Sequence, residues 1–121
     1  MAKGRLLVID DEEIVRVCCS RALVAEGYEV DVTSSGKEGL ELFGKAKYDL
    51  VLVDLKMPRM EGIEVLANIK REAPGQKVII ITGYMALEHS EESSALGATR
   101  YLEKPFAPDV LLETIHEVLE E

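Results

Sequence analysis

The chain has 121 residues, 47% of them hydrophobic and 31% charged, and a formal net charge of −9. That profile is a folded domain with a single core, and its acidity argues against direct binding to nucleic acid or an anionic membrane. No apolar run nears the roughly 18 residues of a membrane span, and no basic segment leads into an apolar one as in a secretory signal.

Arg5–Ile9 (Arg-Leu-Leu-Val-Ile) reads as a buried strand that ends in Asp10 and Asp11. Glu12 and Glu13 follow, acids that favour the first turn of a helix. Val15, Cys18, Cys19 and Ala22 recur at helical spacing and form an apolar face, with Gly27 at the C-terminal cap. The adjacent thiols match no redox or metal spacing. They are expected to pack as small apolar residues in a protein of the reducing cytoplasm. Residues 28–33 alternate polar and apolar, which predicts a strand at a sheet edge. Ser34 or Ser35 caps a second helix with Leu40 and Phe43 inward, and Gly36, Gly39 and Gly44 make that helix intrinsically weak.

Residues 50–58 (Leu-Val-Leu-Val-Asp-Leu-Lys-Met-Pro) predict a central strand buried on both faces that runs straight into Asp54. A carboxylate there needs a solvated edge or a partner. Pro58 stops the strand from continuing. A loop over 57–62 leads to a helix whose face is Ile63, Leu66 and Ile69, ended by Pro74 and Gly75. Residues 77–82 are strongly strand-like and end in Thr82. Residues 85–96 are the weakest predicted helix, rich in Glu and Ser, and Gly97 closes it. Tyr101 and Leu102 form a short strand before Lys104 and Pro105. Pro108 opens a last helix that buries Leu111, Ile115 and Val118.

The order is a (βα)5 alternation, which predicts one doubly wound α/β domain over residues 1–121, a five-stranded parallel sheet with helices on both faces. The most apolar strands, the first and third, belong in the centre, which favours strand order 2-1-3-4-5. Parallel strands bring their C-terminal ends to one edge. Asp10, Asp11, Asp54, Thr82 and Lys104 should therefore converge. Close carboxylates repel, so a hard divalent cation is needed, and Mg²⁺ suits an oxygen-only site that receives a phosphoryl group. Thr82 offers a hydroxyl donor and Lys104 a point positive charge for phosphoryl oxygens. No Gly-rich phosphate loop follows the first strand, which argues against a flavin or nucleotide binder.

These residues resemble the receiver domains of bacterial two-component response regulators, which have a flavodoxin-like fold. The likeness lies in Asp10-Asp11, Asp54 with Met57-Pro58, Gly62, Thr82-Gly83, and Tyr101 three residues before Lys104-Pro105-Phe106, and it covers essentially the whole chain. A chemotaxis member of that family is itself an instance of the 2-1-3-4-5 order, so order and family are not independent findings. The resemblance implies that Asp54 accepts a phosphoryl group from the phosphohistidine of a sensor histidine kinase or phosphotransfer protein. It implies that Asp10 or Asp11, Asp54 and the backbone carbonyl of Lys56 hold Mg²⁺, with Asp11 preferred as direct ligand and Asp10 acting through water. Thr82 and Lys104 then bind phosphoryl oxygens, and Tyr101 is the aromatic switch. The Lys104–Pro105 bond is expected to be cis. The output is a change in the face made by the last two helices and fifth strand, read by a downstream output protein or effector domain. Lys56 and Tyr84 stand at positions that tune the phosphoryl lifetime. Such a domain catalyses its own Mg²⁺-dependent phosphorylation and dephosphorylation and is not a conventional enzyme.

Two other readings are weaker. A haloacid-dehalogenase-like phosphohydrolase generally has a second Asp two residues after its nucleophile, where this chain has Lys56, and no cap domain is present. A non-phosphorylated interaction module would be favoured by loss of an acid, the Thr or the Lys, and none is lost.

Overall fold

The computed structural model describes residues 3–55, 62–83 and 97–121. Five strands, β1 (Arg5–Ile9), β2 (Glu29–Thr33), β3 (Leu50–Asp54), β4 (Val78–Thr82) and β5 (Arg100–Glu103), form one sheet in the order β2-β1-β3-β4-β5. All four pairings are parallel. Four helices are described: α1 (Glu13–Ala25), α2 (Gly36–Lys45), α3 (Gly62–Glu72) and α4 (Pro108–Glu120). The helix expected over 85–96 lies outside the described residues. No helix is long and apolar enough to cross a membrane among the described residues.

The strands alternate their side chains between two cores, as the period of two requires. Leu6, Val8, Leu50, Leu52, Ile79 and Ile81 face α1 and α4. Leu7, Ile9, Val51, Val53, Val78 and Ile80 face α2 and α3. Every residue of β3 and β4 is buried. Burying each such Leu or Ile contributes about 1.5–3 kcal/mol of transfer free energy, so β3 and β4 are held rigidly in the sheet. β2, with its mixed burial, is an edge strand, as its alternation predicts.

Local signals set the helix ends. Ser35 is the cap of α2: its side chain accepts from the Glu38 N–H at 3.0 Å, a contact of about 1 kcal/mol. Gly27, at φ +105°, takes the left-handed conformation that ends α1. Pro108 occupies the first turn of α4. At the opposite end of the sheet from the strand C-termini, Asp31 of β2 accepts from Arg5 Nη2 at 3.0 Å and from the Tyr48 hydroxyl at 2.7 Å. That contact joins β2 to β1 and to the segment leading into β3.

Two helix faces differ from the sequence reading. α3 buries Gly62, Val65, Leu66 and Ile69, while Ile63 is only partly buried. α1 buries Cys19 and Leu23, with Val15 and Ala22 partly buried, and Cys18 is exposed. The buried stripe of α1 is narrow because the helix meets the core along positions 15, 19 and 23. Burial pushes the Cys19 thiol up to about 12. At mildly alkaline pH, iodoacetamide is therefore expected to label Cys18 alone in the folded protein, and Cys19 only after unfolding. Mass spectrometry showing equal labelling rates would contradict this placement.

Candidate functional site

The strand order brings four side chains to one edge. Asp10 follows β1, Asp54 ends β3, Thr82 ends β4 and Lys104 follows β5. Ile9 pairs with Val53, so Asp10 and Asp54 leave neighbouring central strands at the same level. The Lys104 N–H donates to the Thr82 carbonyl at 2.8 Å, extending the β4–β5 ladder to the residue that carries the ammonium. The Lys104–Pro105 peptide bond is cis.

The centre of the site is the Lys104 Nζ. It lies 2.6 Å from Glu12 Oε1, 2.8 Å from Asp10 Oδ2 and 3.2 Å from Asp54 Oδ2. Asp10 and Asp54 are 0% and 3% exposed, and Thr82 is fully buried beside them. Burial by itself lowers the Lys104 pKa. The close contacts with Asp10 and Glu12 and the nearby charges of Asp10 and Asp54 outweigh it and raise the pKa, so the ammonium keeps its proton. Asp10 is held from its other side, where its Oδ1 accepts the Glu12 N–H at 2.8 Å. Its own carbonyl accepts from Arg16 Nη1 at 2.7 Å.

One ammonium does not balance the acids around it. Carboxylate oxygens of Asp10, Glu12 and Asp54 lie within 4.8 Å of one another. Asp10 Oδ2 is buried and, apart from the ion pair with Lys104, has no hydrogen bond of good geometry. An oxygen-only set with excess negative charge and an unsatisfied buried oxygen fits a hard divalent cation.

Asp11 is exposed and is not one of these clustered acids, whereas Glu12 is. In the sequence, the two are neighbouring acids after a strand. What separates them is the Glu12 side chain, whose Oε1 reaches the Lys104 Nζ that follows β5. Lys56 and Tyr84 lie outside the described residues. Tyr101, on β5, is partly buried and packs against the core under α2 and α3. Gly62 packs directly under Asp54: a Cβ there would sit 2.1 Å from the Asp54 carbonyl oxygen. The first turn of α3 can thus lie against the strand end that carries the carboxylate.

Residues 6–116 match the family model of the response regulator receiver domain. Sporulation initiation phosphotransferase F of Bacillus subtilis (strain 168) is 34% identical over 119 residues, 98% of this chain and 96% of that protein. The transcriptional regulatory protein GlrR of Escherichia coli (strain K12) is also 34% identical, over 98% of this chain but 27% of its own length. The chain therefore spans nearly all of one relative and about a quarter of the other. A response regulator receiver domain protein (CheY-like) from Methanospirillum hungatei JF-1 superposes with a TM-score of 0.93 at 40% identity, covering 96% of this chain and 93% of that one. The response regulator TrrA from Thermotoga maritima, in complex with Mg²⁺-BeF, superposes with a TM-score of 0.86 at 36% identity, over 98% and 99% of the two chains. The parallel sheet and its strand order are accompanied by a fold match to those structures along nearly the whole chain, and the chain belongs to the receiver-domain family of two-component response regulators, whose general function is that of a phosphoacceptor switch.

Proposed function

We infer that Asp54 is the phosphoacceptor, taking a phosphoryl group from the phosphohistidine of a sensor kinase or phosphotransfer protein. The observation that carries this is the Lys104 ammonium bound to Asp54 Oδ2 at 3.2 Å, at the end of a strand with no exposed residue. A buried carboxylate with a fixed cation beside it is a nucleophile whose product charge is already partly matched. One Asp54 oxygen forms the bond to phosphorus, the bond from phosphorus to the histidine nitrogen breaks, and the imidazole leaves with that electron pair. Asp54 with Asp10 or Asp11 and the Lys56 carbonyl would hold Mg²⁺, which would supply charge neutralisation for the transferring group when bound. Asp11 as direct ligand and Asp10 through water remains part of this reading, and Glu12 adds a further carboxylate to the group.

Phosphorylation adds about −1.5 to −2 charge in this small space. Lys104 and Thr82 bind the new oxygens, and Tyr101 moves into the room that Thr82 leaves. The two packings are then rebalanced on the face of β5 and its neighbouring helices, where an output protein or effector domain reads the state. We place residues 1–121 in one receiver domain that acts as a signalling switch, not as a conventional enzyme. Its two free thiols, Cys18 and Cys19, suit a cytoplasmic location.

The test is chemical. With Mg²⁺ and acetyl phosphate the protein is expected to gain one phosphoryl group, labile to hydroxylamine, and Asp54→Asn to gain none. The same labile adduct on Asp54→Asn, at equal yield in intact-mass spectra, would sink the assignment.

A further inference from the structure

We propose that Glu12 is a positioning residue that holds the Lys104 ammonium in the unphosphorylated protein and surrenders it to the phosphoryl group. This rests on Asp54 being the phosphoacceptor. A lysine ammonium has three N–H donors. Three carboxylates already surround this one: Glu12 at 2.6 Å, Asp10 at 2.8 Å and Asp54 at 3.2 Å. Glu12 and Asp54 accept hydrogen bonds from this ammonium and Asp10 holds it by charge, so drawing it onto a phosphoryl oxygen of Asp54 loosens one of these contacts.

The three differ in what loosening costs. Asp10 is fully buried, so without the ammonium its charge would be stranded away from water. Asp54 carries the incoming group, so the ammonium follows it and does not leave it. The Glu12 side chain is 53% exposed, and water replaces the ammonium there at little cost. Glu12 is nonetheless the closest of the three, so it sets where the ammonium rests before transfer. Its backbone N–H stays on Asp10 Oδ1 at 2.8 Å, which lets the side chain swing out while the acidic centre keeps its shape. Glu12 thus competes with the phosphoryl group for Lys104, and its removal favours the phosphoryl-bound form.

Beryllofluoride, the group present with Mg²⁺ in the TrrA structure, is the probe. Its affinity is measured with Mg²⁺ saturating for each variant, so that altered metal binding does not enter. Glu12→Gln is expected to bind it about two- to fivefold more tightly than wild type, the range of one half-exposed ion pair. Glu13→Gln is the control for charge alone. Glu13 lies on the exposed first turn of α1, and it is not among the ion-pair partners of Lys104 in the described residues. That variant is expected to match wild type.

The nitrogen-15 signal of the Lys104 ammonium gives the second readout. It is expected to differ between wild type and Glu12→Gln in the free proteins and to coincide once beryllofluoride is bound. Unchanged or weaker binding by Glu12→Gln overturns the proposal, as does equal tightening by Glu13→Gln. So do bound-state signals that still differ, since Glu12 would then have kept its hold. Asp54→Asn binding the probe as tightly as wild type would overturn the phosphoacceptor reading itself, and this inference with it.

Discussion

Lys104→Ala is expected to lose about 3–5 kcal/mol of stability in urea denaturation, the cost of stripping a buried pair of its cation. The effect is this large because Asp10 and Asp54 are 0% and 3% exposed, and each has Lys104 as an ion-pair partner. A loss below about 1 kcal/mol would put these contacts in the class of surface ion pairs. Mg²⁺ is expected to return more stability to the variant than to wild type, because a metal takes over the neutralising role the ammonium had. The ion pairs raise the Lys104 pKa above its free value, so its contribution is complete below the free lysine pKa. It is lost only as the solution becomes alkaline enough to pass the raised value. The stability gap is therefore expected to stay constant between about pH 6 and 9. Phosphorylated Lys104→Ala is also expected to lack the amide shifts around Tyr101 that wild type shows. Identical shifts would mean another group transmits the charge.

Gly62→Ala is expected to destabilise at or beyond the upper end of the roughly 1–3 kcal/mol typical of overpacking. The added carbon would meet backbone, 2.1 Å from the Asp54 oxygen and 2.7 Å from the Leu55 Cα, and backbone at the end of a buried strand cannot step aside. Gly39→Ala is a milder case, since its Cβ would press on the Ile9 side chain, 2.4 Å from Cδ1. Gly44→Ala, in the same helix, meets nothing within 4 Å and is expected to stabilise by up to about 1 kcal/mol through helix propensity. Thermal melts of the three variants, ranked Gly44, Gly39, Gly62 from most to least stable, check the argument. A Gly62→Ala protein as stable as wild type would remove the close approach from the account.

The glycines show where sequence reasoning stops. Composition marks α2 as weak because Gly36, Gly39 and Gly44 lie in it, and each counts the same by propensity. Only packing reveals that Gly39 lets α2 close on Ile9 while Gly44 does nothing of the kind. The strands were more legible. A parallel strand buried on both faces must be a continuous apolar run, and β1 and β3 stand out as such at Arg5–Ile9 and Leu50–Asp54. Ranking those runs favoured the strand order, which the family resemblance also implies. Helix faces were less legible, because short stretches admit overlapping stripes: Val65 was missed beside Leu66, and Cys18 was placed inward beside Cys19. At the site, the convergence of Asp10, Asp54, Thr82 and Lys104 followed from the strand order, whereas Asp11, expected with them, is exposed and outside the acidic cluster. The place of Glu12 did not follow, since it depends on the direction its side chain takes towards Lys104, which periodicity leaves open.

The distances along the chain between these partners bear on how the protein is made. Glu12 and Lys104 are 92 residues apart, and Asp54 and Lys104 are 50 apart, yet all three meet at one nitrogen. Contacts of such sequence separation are the slowest to form and depend on every strand between them being in place. During synthesis Asp10, Glu12 and Asp54 emerge before Lys104. Until β5 docks beside β4, the growing chain has the carboxylates without the lysine that pairs with them. The acidic cluster therefore acquires its charge balance only when the fifth strand docks, so the order in which the strands assemble decides when the site is complete.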